Sequence, residues 1–242
     1  MPRPPLERFP DVPGYSVPAT QARGSLLLGT GGLSRLASSR VAVIGTGGVG
    51  SWAAELLARA GVGTLLLFDP DKVEWSNCNR QVQATAETVG QPKVEVLAAR
   101  LGRVTPTAHI EGHVRFMTGE EMDRHGPFDA VVEAIDHVSA KTSLLAWAYR
   151  TQTFVVTSLG AGSRVQPWAV RVDDLAEAVR CPLGKDVRKI LRRKYGLPMA
   201  GELGIRAVYS LERPWEQPGD PTVNGTLGGV TAAFGAALCA HV

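Results

Sequence analysis

The sequence is poor in cysteine, and the cysteines that it has are widely separated. Its 242 residues include only Cys78, Cys181 and Cys239, and none of them belongs to a C-x-x-C pair. This spacing argues against a four-cysteine zinc site and against a disulfide framework. It fits a reducing compartment, so we expect a cytoplasmic protein that binds no zinc.

The sequence also lacks a convincing membrane segment or secretory leader. Residues 225–242 form an uncharged stretch that is rich in small residues and has no basic flank, which favours a buried closing helix. The first thirteen residues contain five prolines and no apolar segment, unlike a secretory leader. We predict a loosely ordered, proline-rich arm over residues 1–20 and no association with a membrane.

Charge is nearly balanced overall but unevenly placed. The formal net charge is +3, whereas residues 164–213 contain eleven Lys and Arg against six Asp and Glu, a local excess of five positive charges. A positive surface on a nearly neutral protein suggests a polyanionic partner at one face.

Apolar runs alternate with helical segments along the chain, which predicts βαβ units in a parallel sheet. The predicted strands are VAVIG from Val41, Thr64–Asp69, AHIEGHV, Phe128–Ile135 and Thr153–Gly160, and the predicted helices are Trp52–Ala60, Pro92–Val104 and Ser139–Arg150. After Gly162 the strand-like WAVRV and AVYSLE flank a helical stretch. We predict an α/β, Rossmann-like, doubly wound, mostly parallel sheet with an antiparallel C-terminal extension, in one domain over residues 21–242. Residues 21–162 would form the nucleotide-binding half, and residues 163–242 would form the substrate-facing and closing part.

The most informative stretch is VAVIGTGGVGSW, residues 41–52, in which a strand runs into a glycine-rich turn and then a helix. The glycines at this turn are Gly45, Gly47, Gly48 and Gly50. They allow the backbone to turn tightly and to approach a phosphate, and the helix that follows directs free N–H groups toward that anion. Asp69 ends the next strand, where a ribose hydroxyl is usually bound. These features alone fit NAD, FAD or ATP.

Further polar residues narrow the choice of nucleotide. Arg80 and Lys93 place two cations near the phosphate side of the crevice, with Asn77 close by in sequence, which favours a triphosphate or a departing pyrophosphate. Asp136 follows the fourth strand, and a carboxylate beside a triphosphate is typical of a Mg²⁺ site. Asp136 could instead cap the helix that starts near Ser139.

In order and spacing, GTGGVGSW, Asp69, NCNRQ, GQPK and AID resemble the ThiF/MoeB superfamily of ubiquitin-activating-enzyme-like adenylyltransferases. Within it, GSWAAE and VDDLAEAVRCPLGKDVRKILRRKYG are similar to the subfamily of tRNA threonylcarbamoyladenosine dehydratases, also called the TcdA or CsdL group. The resemblance covers the chain from about Thr20 to Val242. The sulfur-carrier activators of the superfamily often carry paired cysteines for zinc, which this chain lacks.

The resemblance implies specific roles for the residues that match. The loop glycines would approach ATP, Asp69 would bind its ribose, and Asp136 would bind Mg²⁺. Asn77, Arg80 and Lys93 would hold the phosphates. Arg23 matches an arginine that family members send into the ATP site of a partner subunit, which implies a homodimer.

The resemblance implies an enzyme that adenylates and cyclises threonylcarbamoyladenosine next to the anticodon of a tRNA, with a cysteine desulfurase or sulfur acceptor as a further possible partner. An activator of a ubiquitin-like sulfur carrier is the alternative. An NAD-dependent oxidoreductase or a non-catalytic nucleotide-binding module is a weaker alternative.

A basic segment is the candidate contact for tRNA. Its charges share one face of a predicted helix, opposite apolar residues. These residues are Lys185, Arg188, Lys189, Arg192 and Arg193. A solvated helix face is the ordinary interpretation of such a pattern, and a tRNA substrate would favour RNA contact instead.

Overall fold

The structure is a computed structural model that describes residues 10–199, 201–216 and 224–242. Residues 1–9 of the proline-rich arm therefore lie outside the described residues. The part of the arm that is described contacts the first helix, where the Thr30 hydroxyl donates to the Asp11 carboxylate at 2.9 Å and accepts from the Val12 N–H at 2.9 Å.

The described chain contains seven strands and seven α-helices, which alternate except between the fifth and sixth strands. The strands are β1 (Arg40–Ile44), β2 (Thr64–Phe68), β3 (His109–His113), β4 (Ala130–Glu133), β5 (Val155–Ser158), β6 (Val170–Asp174) and β7 (Arg206–Ser210). The helices are α1 (Ala22–Ser38), α2 (Gly50–Ala60), α3 (Lys93–Val104), α4 (Gly119–Met122), α5 (Val138–Thr151), α6 (Pro182–Tyr195) and α7 (Gly228–Cys239). The five strands predicted up to Gly160 are present, and α1 and the short α4 are additions.

All seven strands form one sheet in the order β3-β2-β1-β4-β5-β7-β6. The pairs from β3 to β7 are parallel, and only β6 and β7 pair antiparallel. This confirms the predicted mostly parallel sheet with an antiparallel C-terminal extension. The chain moves outward from β1 to β3 and then returns to β4 on the other side of β1, so the strand order reverses between β1 and β4. Ligands of such sheets bind at this reversal, beside the carboxyl ends of the strands. We call that side of the sheet the crevice edge.

Helices cover both faces of the sheet because its central strands are apolar on both faces. On one face, Val41 and Val43 of β1 pack in a cluster with α2, α3 and α7. On the other face, Ala42 and Ile44 pack in a cluster with α5 and α6. The predicted closing helix is α7, whose Phe234 is fully buried in the first cluster.

None of the helices in the described ranges combines the length and the apolar character that crossing a bilayer requires.

Candidate functional site

The glycine loop joins the end of β1 to the start of α2 at the crevice edge. A Cβ atom on Gly45, whose φ is +89°, would lie 2.8 Å from the Ala134 carbonyl oxygen, and one on Gly50 would lie 1.8 Å from the Gly45 carbonyl oxygen. A Cβ atom on Gly47 would have the Gln81 Nε2 atom as its nearest neighbour, at 4.0 Å. Gly45 and Gly50 are therefore required by the turn itself, whereas Gly47 leaves open space beside the loop.

Asp69 lies beside this loop and is almost fully buried. Its Oδ2 atom accepts from the Thr46 N–H at 2.7 Å and from the Thr46 hydroxyl at 3.2 Å, and its Oδ1 atom accepts from the Asp71 N–H at 3.0 Å. An ionised carboxylate has about four acceptor positions, and three are used here. The arrangement fixes the orientation of Asp69 and leaves one position for a hydroxyl donor.

Lys93 begins α3 and directs its amine toward the same edge. The Lys93 Nζ atom donates to the Asp71 carboxylate at 2.8 Å, and the Lys93 N–H donates to the Asp71 carbonyl at 2.9 Å. The Lys93 side chain is mostly buried, whereas Asp71 is exposed. Asp71 thus connects Asp69 to Lys93 and holds the amine in place.

Asn77 and Arg80 come from the segment that follows β2. Asn77 is buried, and its Oδ1 atom accepts from the Glu74 N–H at 3.1 Å within the short 3-10 helix Trp75–Asn77. The Nη1 atom of Arg80 donates to the Ser76 carbonyl at 2.7 Å. The stem of Arg80 lies over the loop, since a Cβ atom on Gly48 would be 3.2 Å from it. Asn77 therefore shapes the segment, and the stem of Arg80 extends across the loop at Gly48.

Asp136 lies in the connection between β4 and α5, next to β1 in the sheet. It is exposed, and among the described residues its carboxylate makes no hydrogen bond or ion pair. The capping alternative is wrong, because His137 caps α5 through its Nδ1 atom, which accepts from the Ala140 N–H at 3.3 Å. The Asp136 carboxylate is free to bind a cation at the crevice edge.

Beneath Asp136 lies a buried ion pair that the sequence analysis missed. The Lys141 amine donates to the Glu133 carboxylate, to the Thr157 hydroxyl at 3.2 Å and to the Ser158 carbonyl at 2.8 Å. Glu133 also accepts from the Ile135 N–H at 2.8 Å. Glu133 and Lys141 are fully buried, so the pair anchors the connection that carries Asp136.

Arg23 does not lie at the crevice of its own chain. It is exposed near the start of α1, and the neighbouring Gln21 donates to the carbonyl of Arg59 at 2.9 Å, in the last turn of α2. The glycine loop lies at the opposite end of α2, about 16 Å away at 1.5 Å per residue. Arg23 therefore lies on the far side from its own glycine loop.

The basic segment forms α6, which lies along the crevice edge. Its first turn packs on the end of β5, because a Cβ atom on Gly184 would lie 2.7 Å from Leu159. Lys189 and Arg193 in its second half line a groove of about 490 Å³ with Ser139 and Thr142 in the first two turns of α5. This groove begins beside the connection that carries Asp136.

The charges of α6 share the exposed face that the sequence predicts. Four of the five predicted basic residues are exposed: Lys185, Lys189, Arg192 and Arg193. Arg188 is half-buried and donates to the carbonyls of Leu175 and Ala178, at 3.3 and 2.6 Å. Lys194, which the sequence analysis did not single out, also lines the groove.

The ThiF family model matches residues 20–242 of the chain. The chain belongs to the ThiF family.

Individual proteins are also similar to this chain. The tRNA threonylcarbamoyladenosine dehydratase of Escherichia coli K12 is 36% identical, over 81% of this chain and 75% of the relative. The dehydratase of Bacillus subtilis 168 is also 36% identical, over 80% of this chain and 75% of the relative. The crystal structure of the E. coli dehydratase TcdA in complex with ATP superposes with a TM-score of 0.84 at 35% identity, covering 90% of this chain and 89% of that one.

Proposed function

We propose that this ThiF-family protein is an ATP-dependent tRNA threonylcarbamoyladenosine dehydratase. The observation that carries the proposal is the sequence similarity of four-fifths of this chain to a tRNA threonylcarbamoyladenosine dehydratase. The fold, which is shared with a dehydratase whose crystal structure contains ATP, supports it further. The open space at Gly47 fits a nucleotide triphosphate, with the stem of Arg80 over the neighbouring Gly48 and Lys93 held by Asp71 at the same edge of the sheet. We place this activity in the cytoplasm.

The reaction needs activation of a carboxylate, which by itself has no leaving group. The threonyl carboxylate attacks the α-phosphate of ATP, so an acyl adenylate forms and pyrophosphate leaves. The carbamoyl nitrogen then attacks the acyl carbon and loses a proton, and AMP leaves with the carboxylate oxygen. The modified base has lost one water molecule, and no protein nucleophile is required.

The residues of the crevice would supply position and charge. Asp69 would accept a hydrogen bond from the ribose at its remaining acceptor position, and Gly47 would allow the phosphates to approach the backbone. Arg80 and Lys93 would stabilise the negative charge that develops on the α-phosphate and the departing pyrophosphate. Asn77 would act by holding the segment that carries Arg80.

Asp136 would hold a magnesium ion. Mg²⁺ in such sites is usually bound by one or two carboxylates together with substrate phosphates and water, so one exposed carboxylate beside a triphosphate fits it. When bound, the ion would neutralise part of the charge on the phosphates. The anchoring of the Asp136 connection by Glu133 and Lys141 supports this placement.

Arg23 would act in a homodimer. It lies on the far side of α2 from its own glycine loop, which supports a contribution to the site of a second copy. Exposed Leu26 and Leu27 follow it on α1, with 74% and 79% of their surfaces accessible, and they would be covered by that copy.

The basic face of α6 would bind the phosphates of the tRNA, because it borders the groove beside Asp136. A cysteine desulfurase or sulfur acceptor remains a further partner that we propose without assigning it a surface.

The proposal is tested by mass spectrometry of nucleosides from tRNA incubated with the protein, ATP and Mg²⁺. We expect threonylcarbamoyladenosine to lose the mass of one water molecule only when ATP is present. If its mass stays unchanged while the carboxyl-terminal peptide of a sulfur carrier supports pyrophosphate exchange, the protein is a sulfur-carrier activator instead.

A further inference from the structure

Three apolar side chains are exposed at the outer part of the crevice edge. We call Val165, Trp168 and Trp215 the tryptophan patch. Their exposed fractions are 44%, 74% and 60%, respectively. Indole rings that remain this exposed are uncommon on a folded protein, and an exposed apolar patch often marks a binding surface.

The backbone around the patch is held by a dense set of hydrogen bonds. The Glu212 carboxylate accepts from the Gln166 N–H at 2.8 Å, from the Val165 N–H at 3.0 Å and from the indole N–H of Trp215 at 2.7 Å. Burial raises the pKa of Glu212, but these bonds outweigh it and the pKa is lowered overall. Glu212 is therefore ionised at neutral pH, and it fixes the edge of the Trp215 ring while the ring surface stays exposed.

The patch lies at the same edge of the sheet as the glycine loop. Val170, the first residue of β6, pairs with Ser210, the last residue of β7, and β7 runs parallel to β5. Trp168 and Trp215 flank these two residues in sequence and so emerge at the crevice edge. Three strand spacings separate β6 from β4, the strand that leads to Asp136, so these two strands lie about 14 Å apart.

Cations surround the patch and connect it to α6. Arg171 and Arg213 are exposed, and Arg180 donates to the carbonyl of Leu211 at 3.1 Å. Arg180 stands two residues before Pro182, where α6 begins. The patch, where the Glu212 carboxylate lies among these arginines, and the basic face of α6 thus share one border of the crevice.

We infer that the tryptophan patch is a stacking surface for the unpaired bases of an RNA loop. This inference rests on the proposed function and specifies which part of the RNA the patch contacts. Proteins recognise single-stranded RNA by stacking bases on aromatic rings, with cations beside them for the phosphates. Exposed indoles beside arginines, on the border that carries the α6 charges, match that chemistry. The anticodon loop, where the modified base lies, supplies such unpaired bases.

The test measures binding of two RNA probes to the full chain by fluorescence anisotropy. One probe is an anticodon stem-loop hairpin, and the other is a blunt duplex with the same stem sequence. We expect Trp168→Ala and Trp215→Ala each to weaken hairpin binding about tenfold and to leave duplex binding unchanged. Trp168→Phe should retain most of the affinity, because it keeps an aromatic face.

Phe154→Ala is the matched control. Phe154 is 41% exposed and precedes β5, at the edge of the sheet opposite the crevice. Its replacement should leave binding of both probes unchanged. Quenching of tryptophan emission by the hairpin provides a second readout, and it should be reduced in the double variant Trp168→Ala with Trp215→Ala, which retains exposed Trp75.

Several outcomes would overturn the inference. One is that the double variant binds the hairpin as tightly as the wild type does, and a second is that it loses the same amount of affinity for the hairpin and for the duplex. A third is a changed sedimentation mass with unchanged RNA affinity, which would make the patch a contact between copies. If the wild-type chain binds neither RNA, the proposed function fails together with the inference. If the wild-type chain binds the hairpin and the duplex equally well, the stacking surface alone is overturned.

Discussion

Lys141 of α5 and Glu133 of β4 form an ion pair in which neither side chain is accessible to solvent. The pair lies directly below the connection between the two elements, and that connection carries Asp136. Because the remaining hydrogen-bonding positions are occupied by Thr157, Ser158 and Ile135, the charges are well satisfied despite their burial.

Lys141→Met should strongly destabilise the fold. It leaves the Glu133 carboxylate buried without a counter-charge, which typically costs about 3–5 kcal/mol. Urea unfolding would measure the change. The double variant Lys141→Met with Glu133→Gln removes both charges and should recover part of the loss. A loss below about 1 kcal/mol for Lys141→Met, typical of a surface pair, would contradict this account.

Arg80→Ala and Asp136→Ala should each lower kcat for tRNA dehydration by about two to three orders of magnitude, as expected when a group that stabilises transition-state charge is removed. Both side chains reach the surface, so thermal unfolding should remain close to wild type. Glu120→Ala on α4 replaces another exposed carboxylate and serves as a control with unchanged activity. Near-normal turnover in either site variant would refute its assigned role.

Arg23→Ala should also inactivate the enzyme, but its defect should be complemented in a mixture. When the Arg23→Ala and Asp136→Ala proteins are combined and allowed to exchange subunits, a mixed dimer contains one site with neither change. We expect activity to reappear in the mixture although each variant alone is inactive. If activity stays absent after exchange is verified by native mass spectrometry, Arg23 does not act across a dimer interface.

Arg192→Ala with Arg193→Ala should weaken tRNA binding and reduce its dependence on salt. Each phosphate contact that is lost should lower the slope of log K against log salt concentration by about 0.9. Arg103→Ala removes one exposed charge in the last turn of α3, away from the crevice edge, and as the control it should leave the slope nearly unchanged. An unchanged slope in the double variant would mean that this face of α6 is merely solvated.

Glu55 should make folding stability sensitive to acid. Burial raises its pKa, but hydrogen bonds from Arg100 and Arg59 outweigh that effect and lower it below 4.5 overall. The folded state therefore holds this carboxylate ionised more strongly than the unfolded state, and its contribution is complete above pH 4.5 and lost as the pH falls through the folded pKa. Glu55→Gln should reduce the decline in urea stability between neutral and acid pH. An identical decline in this variant would contradict the assignment.

The sequence predicted the sheet because its signals are local. The alternation at residues 41–68 and the turn at Gly45 to Gly50 are each readable within a short window, and the structure has β1, α2 and β2 there. The basic stripe of α6 was predicted for the same reason, since helical spacing fixes which residues share a face. Arg188 differs from its neighbours because its carbonyl partners belong to a preceding loop, whose position depends on the fold.

The other parts of the site could not be predicted from the sequence, because they depend on contacts between elements that are far apart in the chain. Glu133 and Lys141 belong to a strand and a helix, and nothing in their spacing indicates that both are fully buried. Trp168 and Trp215 are separated by 46 residues that pass through β6, α6 and β7, so only the finished sheet brings their segments together.

The position of β7 between β5 and β6 has a consequence for synthesis on the ribosome. The β6 segment emerges first, yet its partner in the sheet is β7, which follows 32 residues after Asp174. The first five strands can assemble in the order of translation, whereas β6 must wait for β7 to enter between itself and β5. The strands that carry the glycine loop and Asp136 can therefore pair before β6 and β7 bring the segments of Trp168 and Trp215 together, and α7, which packs on α2, is added last.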